Sequence, residues 1–280
     1  MKEKRLNNGI QMPAAGFGVF QVQDPEECTK AVLEAIETGY RLIDTAQSYG
    51  NEEAVGKAIA QTSVPREELF ITTKVWITNY GYDKCKASVE ESLKKLGVDY
   101  IDLVLLHQAY ADYYGAYRAL EDLYKEGKIR AIGVSNFFPD RLVDLCLNVE
   151  IIPSVNQVEV NPFMQQIEAQ KWNEKYGIQM EAWAPFAEGR NNMFTNPILS
   201  EIAEEHQKSV AQVILRWLVQ RNIVPLSKSV KKERMEQNID IFDFELTKED
   251  MKKIASLDEK TSSFFDHYDP AIIESLFKLH

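Results

Sequence analysis

The sequence predicts an α/β fold, an eight-stranded parallel β/α (TIM) barrel with an N-terminal β-hairpin and extra helices near the C-terminus. Three observations carry the prediction. Short apolar runs begin near Ala15, Leu42, Phe70, Ile101, Ile129, Ser154, Gln179 and Ile223, spaced 25 to 31 residues apart until the last, which follows after 44. A segment of helical periodicity follows each run. The glycine fingerprint of the competing open, doubly wound sheet is absent: Gly16-Phe17-Gly18 is followed by Gln21 where a third glycine belongs.

Taken in order, Leu6-Asn7-Asn8-Gly9-Ile10 carries an Asn-Gly pair between two short runs, the signal of a tight hairpin placed as a plug before the main fold. From Pro25 to Thr38, Ala31, Val32, Ala35 and Ile36 fall at helical spacing, as do Val89, Leu93 and Leu96, and Leu142, Leu145 and Cys146. Arg41-Leu42-Ile43 is too short for a helix and reads as a strand ending at Asp44; Asn51 is placed to cap the helix that starts at Glu52. The long last gap holds two helical stretches, Pro197 to His206 and Val210 to Arg221. It reads as one unit with an inserted helix.

Composition narrows the function classes. A chain of 280 residues that is 45% hydrophobic can bury one large core, so residues 1–280 are read as one domain. A net charge of −11 argues against a nucleic-acid or anionic-membrane partner. Cys28, Cys85 and Cys146 are odd in number and lack metal-ligand spacing, which argues for a reducing compartment and no metal site. The charged start Met1-Lys2-Glu3-Lys4-Arg5 has no apolar run behind it, and no segment approaches membrane-spanning length. A cytoplasmic protein is expected, a monomer in preference to a dimer, which nothing in the sequence excludes.

In a β/α barrel the C-terminal strand ends converge on one face. Here they carry Asp44, Lys74, His107, Ser135-Asn136, Asn156-Gln157 with Glu159, and Trp183, while Tyr49 stands five residues beyond Asp44. Each has a bland reading: Lys74 as a solvated strand end, His107 as a hydrogen-bonded core histidine, Ser135-Asn136 as a cap for the helix near Pro139. Together they make a proton-transfer site. A tyrosine gives up its proton near neutral pH only if its phenolate is stabilised, and an adjacent ammonium does that. Asp44 would hold that lysine and His107 would polarise a carbonyl oxygen. Hydride must then come from a cofactor, since no side chain donates it.

These segments, from Asp44-Thr45-Ala46-Gln47-Ser48-Tyr49-Gly50-Asn51-Glu52 with Gly56 through Thr73-Lys74-Val75-Trp76, Leu105-Leu106-His107, Gly133-Val134-Ser135-Asn136-Phe137 and Asn156-Gln157-Val158-Glu159, resemble the signature segments of the aldo-keto reductases, collinearly from about Leu6 to Leu257. The resemblance implies a barrel that binds NADP(H) and a catalytic tetrad of Asp44, Tyr49, Lys74 and His107. It places Ser135, Asn136 and Gln157 on the nicotinamide carboxamide and Trp183 where the family usually stacks a tyrosine on the nicotinamide ring. Lys228, Ser229 and Arg234 match the family's Lys-Ser-x-x-x-x-Arg motif, with Gln237 and Asn238 near the adenine. The four cations between Lys228 and Arg234 suit a 2′-phosphate, so NADPH is expected over NADH.

On the substrate side, Gln108-Ala109 and the short loop Tyr110 to Gly115 suggest an open pocket, with Phe20 and Trp76 as its aromatic walls. The tail from Phe264 to Pro270 is placed to fold over the barrel mouth, with His267 in no catalytic role. The likeness is greatest to bacterial members acting on small dicarbonyls and keto-sugars, such as the diketogluconate and methylglyoxal reductases. Two other classes compete with this reading: a regulatory NADPH-binding barrel with little turnover, and a barrel isomerase or lyase using Lys74 as a Schiff-base nucleophile. Asp44 beside Lys74, keeping it charged, argues against the second.

Overall fold

Strand parity organises the computed structural model, which describes residues 2–278. β1 (Glu3–Arg5) and β2 (Gln11–Pro13) form an antiparallel hairpin. Its turn is not centred on Asn8-Gly9. The Gly9 amide donates to the Leu6 carbonyl and the Leu6 amide to the Ile10 carbonyl, which puts Asn7 and Asn8 at the turn centre and Gly9, at φ +91°, in the bulge that follows. Leu6 and Met12 pack on Leu42, Phe70, Leu103, Val155 and Val224, so the hairpin plugs the end where the barrel strands begin. Asn7 and Asn8 fix it there through the Pro153 and Arg130 carbonyls, both 2.9 Å away.

The barrel runs β3 (Gly16–Gly18), α1 (Pro25–Glu37), β4 (Leu42–Asp44), α2 (Glu52–Gln61), β5 (Phe70–Val75), α3 (Tyr82–Leu96), β6 (Leu103–Leu106), α4 (Tyr113–Lys125), β7 (Ile132–Ser135), α5 (Pro139–Cys146), β8 (Val155–Glu159), α6 (Ile167–Lys175) and β9 (Gln179–Trp183). Next come the paired helices α7 (Pro197–His206) and α8 (Val210–Gln220), then β10 (Val224–Ser227), α9 (Lys232–Ile239), α10 (Lys248–Ala255) and α11 (Pro270–Leu276). Each strand pairs in parallel with its sequence neighbours, and β10 closes onto both β9 and β3. The eight barrel strands start within three residues of the predicted positions, and the inserted helix pair fills the 44-residue interval. Helix α4 begins at Tyr113, so the loop after His107 is shorter than the expected Tyr110 to Gly115 span.

Because successive strand residues point to opposite faces, the strands feed two cores. Ile43, Ile71, Val104, Leu106 and Val134 pack outward with the helix layer. Leu42, Phe70, Leu103, Leu105 and Val155 fill the lower barrel. The same inward parity continues upward to Asp44, Thr72, Lys74, Gln157 and Glu181, all buried, so the polar layer is a direct continuation of the strands that build the core. The helices close against this framework tightly. A Cβ on Gly56 of α2 would come within 2.5 Å of the Lys95 carbonyl oxygen, so only glycine allows α2 and α3 to approach this closely.

Candidate active site

Asn51 precedes α2 as expected but does not cap it. Its carboxamide accepts from Thr45 Oγ1 at 2.7 Å and donates to the Val19 and Val22 carbonyls at 3.0 and 3.2 Å. It thereby ties the loop after β3 to the loop after β4, and this second loop carries Tyr49. Gln47 in the same loop accepts from the Trp76 amide and Asn79 Nδ2. The tyrosine is held from both sides.

At the top of the barrel Lys74 is fully buried. Its Nζ donates to Asp44 Oδ1 at 2.6 Å, the Thr45 carbonyl at 3.0 Å and the Tyr49 hydroxyl at 3.2 Å. An ammonium has three donors, and all three are used. Burial alone would lower its pKa, but Asp44 and Tyr49 more than offset that and the net shift is upward, so Lys74 stays charged. For Tyr49 the balance differs from the sequence expectation. Burial pushes the phenol above its ordinary range, and the lysine only partly pulls it back. Tyr49 is therefore a protonated acid at neutral pH, with a cation in place for the phenolate left when the proton departs.

His107 follows β6, its ring 5.8 Å from Tyr49 and 5.0 Å from Trp76, edge-on to both. Burial and nearby Lys74 hold its pKa well below the usual histidine value, so the ring is neutral. Nδ1 lies 3.5 Å from Ser48 Oγ, a marginal contact, and Nε2 makes no hydrogen bond among the described residues. Phe20, 52% exposed, packs tilted on Tyr49 with ring centroids 4.9 Å apart, while Trp76 is buried. Both line the approach to Tyr49 and His107, from opposite sides of the exposure scale.

The predicted cofactor residues form an adjoining arc. Ser135 Oγ donates to the Gln157 carbonyl at 2.8 Å; Asn136, at φ +60°, donates from Nδ2 to the His107 carbonyl and accepts the indole proton of Trp183 at 2.9 Å. Neither residue caps α5, whose N-cap is Phe138. Gln157 Nε2 bridges Asp44 Oδ2 at 2.9 Å and Glu181 Oε2 at 2.7 Å, leaving Gln157 Oε1 without a partner among the described residues. Beyond β10, Ser229 is buried and bonds the Lys231 backbone; Asn238 is buried on α9, and Lys228, Arg234 and Gln237 are exposed. Lys232 is paired with Glu37, whereas Lys228, Lys231 and Arg234 have no ion pair among the described residues.

The tail crosses this face. Glu159 accepts from Ser262 Oγ and the Ser263 amide, Phe264 packs on Trp183, and the Tyr110 hydroxyl donates to the His267 carbonyl. The His267 ring sits between Phe138 and Phe265, and burial lowers its pKa to about 4. One functional-layer residue was missed in the sequence. Glu181 is fully buried beside Asp44, and burial, with Asp44 adding, pushes its pKa to about 8 while Gln157 and Lys74 oppose. Its signal was parity: it lies two residues before Trp183, directly across from Gln157.

A family model described as the aldo/keto reductase family matches residues 14–259. Glyoxal reductase of Bacillus subtilis (strain 168) is 51% identical over 256 residues, covering 91% of this chain and 92% of that protein. Methylglyoxal reductase DkgA of Escherichia coli (strain K12) is 42% identical over 258 residues, with 91% and 93% covered. Among solved structures, an aldo-keto reductase enzyme from a Medee basin deep-sea metagenome library superposes with a TM-score of 0.93 at 43% identity, covering 95% of this chain and 98% of that one. A Bombyx mori aldo-keto reductase in complex with NADP gives 0.89 at 35% identity, with 98% and 96% covered.

Proposed function

This chain belongs to the aldo/keto reductase family, and on that premise we propose that it is an NADPH-dependent reductase of small aldehydes and ketones in which Tyr49 gives the proton. The observation that carries the reading is the 3.2 Å contact between the Tyr49 hydroxyl and a lysine that Asp44 keeps charged. It makes Tyr49 an acid whose conjugate base has a cation in place.

The residues suit the cofactor. The unpartnered Gln157 Oε1 offers an acceptor for the amide of a carboxamide, with Ser135 and Asn136 beside it and Trp183 as a flat apolar surface. The exposed Lys228 and Arg234, with Ser229, Gln237 and Asn238, suit the phosphate and adenine end. When bound, NADPH supplies hydride to the carbonyl carbon. Neutral His107 offers Nε2 to the carbonyl oxygen, Tyr49 protonates that oxygen, and Lys74 holds the phenolate until a proton returns. Phe20 and Trp76 enclose the substrate from either side of this pair and thin the water around it.

Glyoxal and methylglyoxal reductases among the relatives favour small dicarbonyls over keto-sugars and aromatic aldehydes as substrates. Residues 1–280 act in this reading as one cytoplasmic domain. No helix among the described residues is long and apolar enough to cross a membrane. The test is loss of NADPH absorbance with methylglyoxal, an aromatic aldehyde, a keto-sugar and a simple ketone, with NADH run beside it. Turnover with NADPH, fastest on the dicarbonyl, is expected. Tight NADPH binding without turnover on any of the four would replace the reading by a regulatory barrel.

A further inference from the structure

Glu181 has no part in hydride or proton transfer, although it lies in the same polar layer as Asp44, Lys74 and Gln157. Its side chain is fully buried; Oε2 takes one proton of the Gln157 amide, and Oε1 has no partner among the described residues. The other proton of that amide goes to Asp44 Oδ2. Two carboxyl groups on one Nε2 hold the amide's orientation, because turning it over would set its oxygen against the Asp44 carboxylate and take the N–H from Glu181 Oε2. Removing Glu181 would leave one anchor in place of two and free the amide to rotate about it.

We propose that Glu181 is a positioning residue: through Gln157 it presents Oε1 to the nicotinamide carboxamide, and its ionisation makes the charge of the Asp44, Lys74 and Tyr49 cluster pH-dependent. The proposal rests on the cofactor reading above. The titratable groups facing Glu181 are Asp44 from β4, Lys74 from β5 and Tyr49 from the loop after β4, with His107 beyond Lys74; of its strand neighbours, β8 presents Gln157 and, one step further up, Glu159, which Ser262 and Ser263 of the tail hold, while β10 is a Val-Pro-Leu-Ser strand without a titratable side chain. While Glu181 is neutral, the charges of Asp44 and Lys74 cancel. Once it ionises, near pH 8, the cluster carries an extra negative charge. That charge holds the Tyr49 proton more tightly, as its upward effect on the phenol shows, and proton donation slows.

Three measurements on the full chain, comparing wild type with Glu181→Gln and Glu181→Leu, decide the point. Carbon-13 NMR of labelled glutamate should show one carboxyl titrating near pH 8 that is missing in Glu181→Gln. NADPH affinity, read by nicotinamide fluorescence, should fall about tenfold in Glu181→Leu, the loss of roughly one hydrogen bond, and stay within about twofold of wild type in Glu181→Gln, which keeps an acceptor for Gln157. The decline in kcat/KM between pH 7 and 9 should be at least about threefold shallower in Glu181→Gln, half a pKa unit on the proton donor. Wild-type affinity in a folded Glu181→Leu, or a Glu181→Gln pH profile that overlays wild type, overturns the proposal. If Glu181→Leu does not fold, the NMR titration and the Glu181→Gln profile still decide. Wild-type protein that binds no NADPH refutes the cofactor reading itself, and the proposal falls with it.

Discussion

Breaking the buried pair of Asp44 and Lys74 should destabilise the protein more than removing it whole. The ions are 2.6 Å apart with side chains 4% and 0% exposed. At an effective dielectric of about 20 their attraction is on the order of 6 kcal/mol, set against a desolvation penalty of several kcal/mol for each ion. The pair thus contributes little net stability, but either partner alone is a buried charge without its counterion. Asp44→Asn and Lys74→Met should each cost about 3–5 kcal/mol, lowering the melting temperature by on the order of 10 °C. The double variant should cost less than the two singles together by at least about 2 kcal/mol. Thermal melts of the four proteins, followed by circular dichroism in one buffer, make the cycle. Additive costs would refute the reasoning, since they would mean that neither charge depends on the other.

Two further outcomes follow from the surface and the tail. Arg234→Ala should raise the Kd for NADPH about tenfold and leave that for NADH unchanged, because an exposed guanidinium without an ion pair among the described residues suits only the ligand that carries the 2′-phosphate; equal losses for both, measured by fluorescence titration, would place Arg234 elsewhere. His267 has its pKa lowered to about 4 in the folded chain, so the unfolded chain takes up its proton first as pH falls. Its contribution is therefore present above about pH 6.5 and lost as pH falls from there to about 4, roughly 3 kcal/mol in all. Urea midpoints at pH 7 and pH 4 should draw apart by less in His267→Gln than in wild type, and an equal separation would contradict the burial argument.

The barrel could be read from the sequence because its regularities are local. Alternating parity and even spacing set the strand starts, and the side chains that end strands must converge once the sheet closes, so the sequence alone already groups Asp44, Lys74 and His107. What escaped depended on contacts across the chain. Asn51 has the sequence of a helix cap, yet the Val19 and Val22 carbonyls compete for its amide and win. Asn8-Gly9 fits two hairpin registers, and the packing of Leu6 and Met12 accompanies the bulged one. The rise in the Tyr49 pKa comes from burial, which the lysine spacing does not reveal. Glu181 sits among polar and apolar residues as any half-buried strand glutamate would, and only the closed barrel puts it against Gln157 and Asp44.

The most direct test of the central claim replaces the Tyr49 hydroxyl alone. Tyr49→Phe keeps the ring that packs on Phe20 and His107 and removes the proton donor. NADPH-dependent reduction of methylglyoxal should fall by roughly 10²–10⁴-fold, with the Kd for NADPH within about twofold of wild type, since the lost group acts in the chemical step. A variant that kept turnover within a few-fold of wild type would contradict the assignment of Tyr49 as the acid.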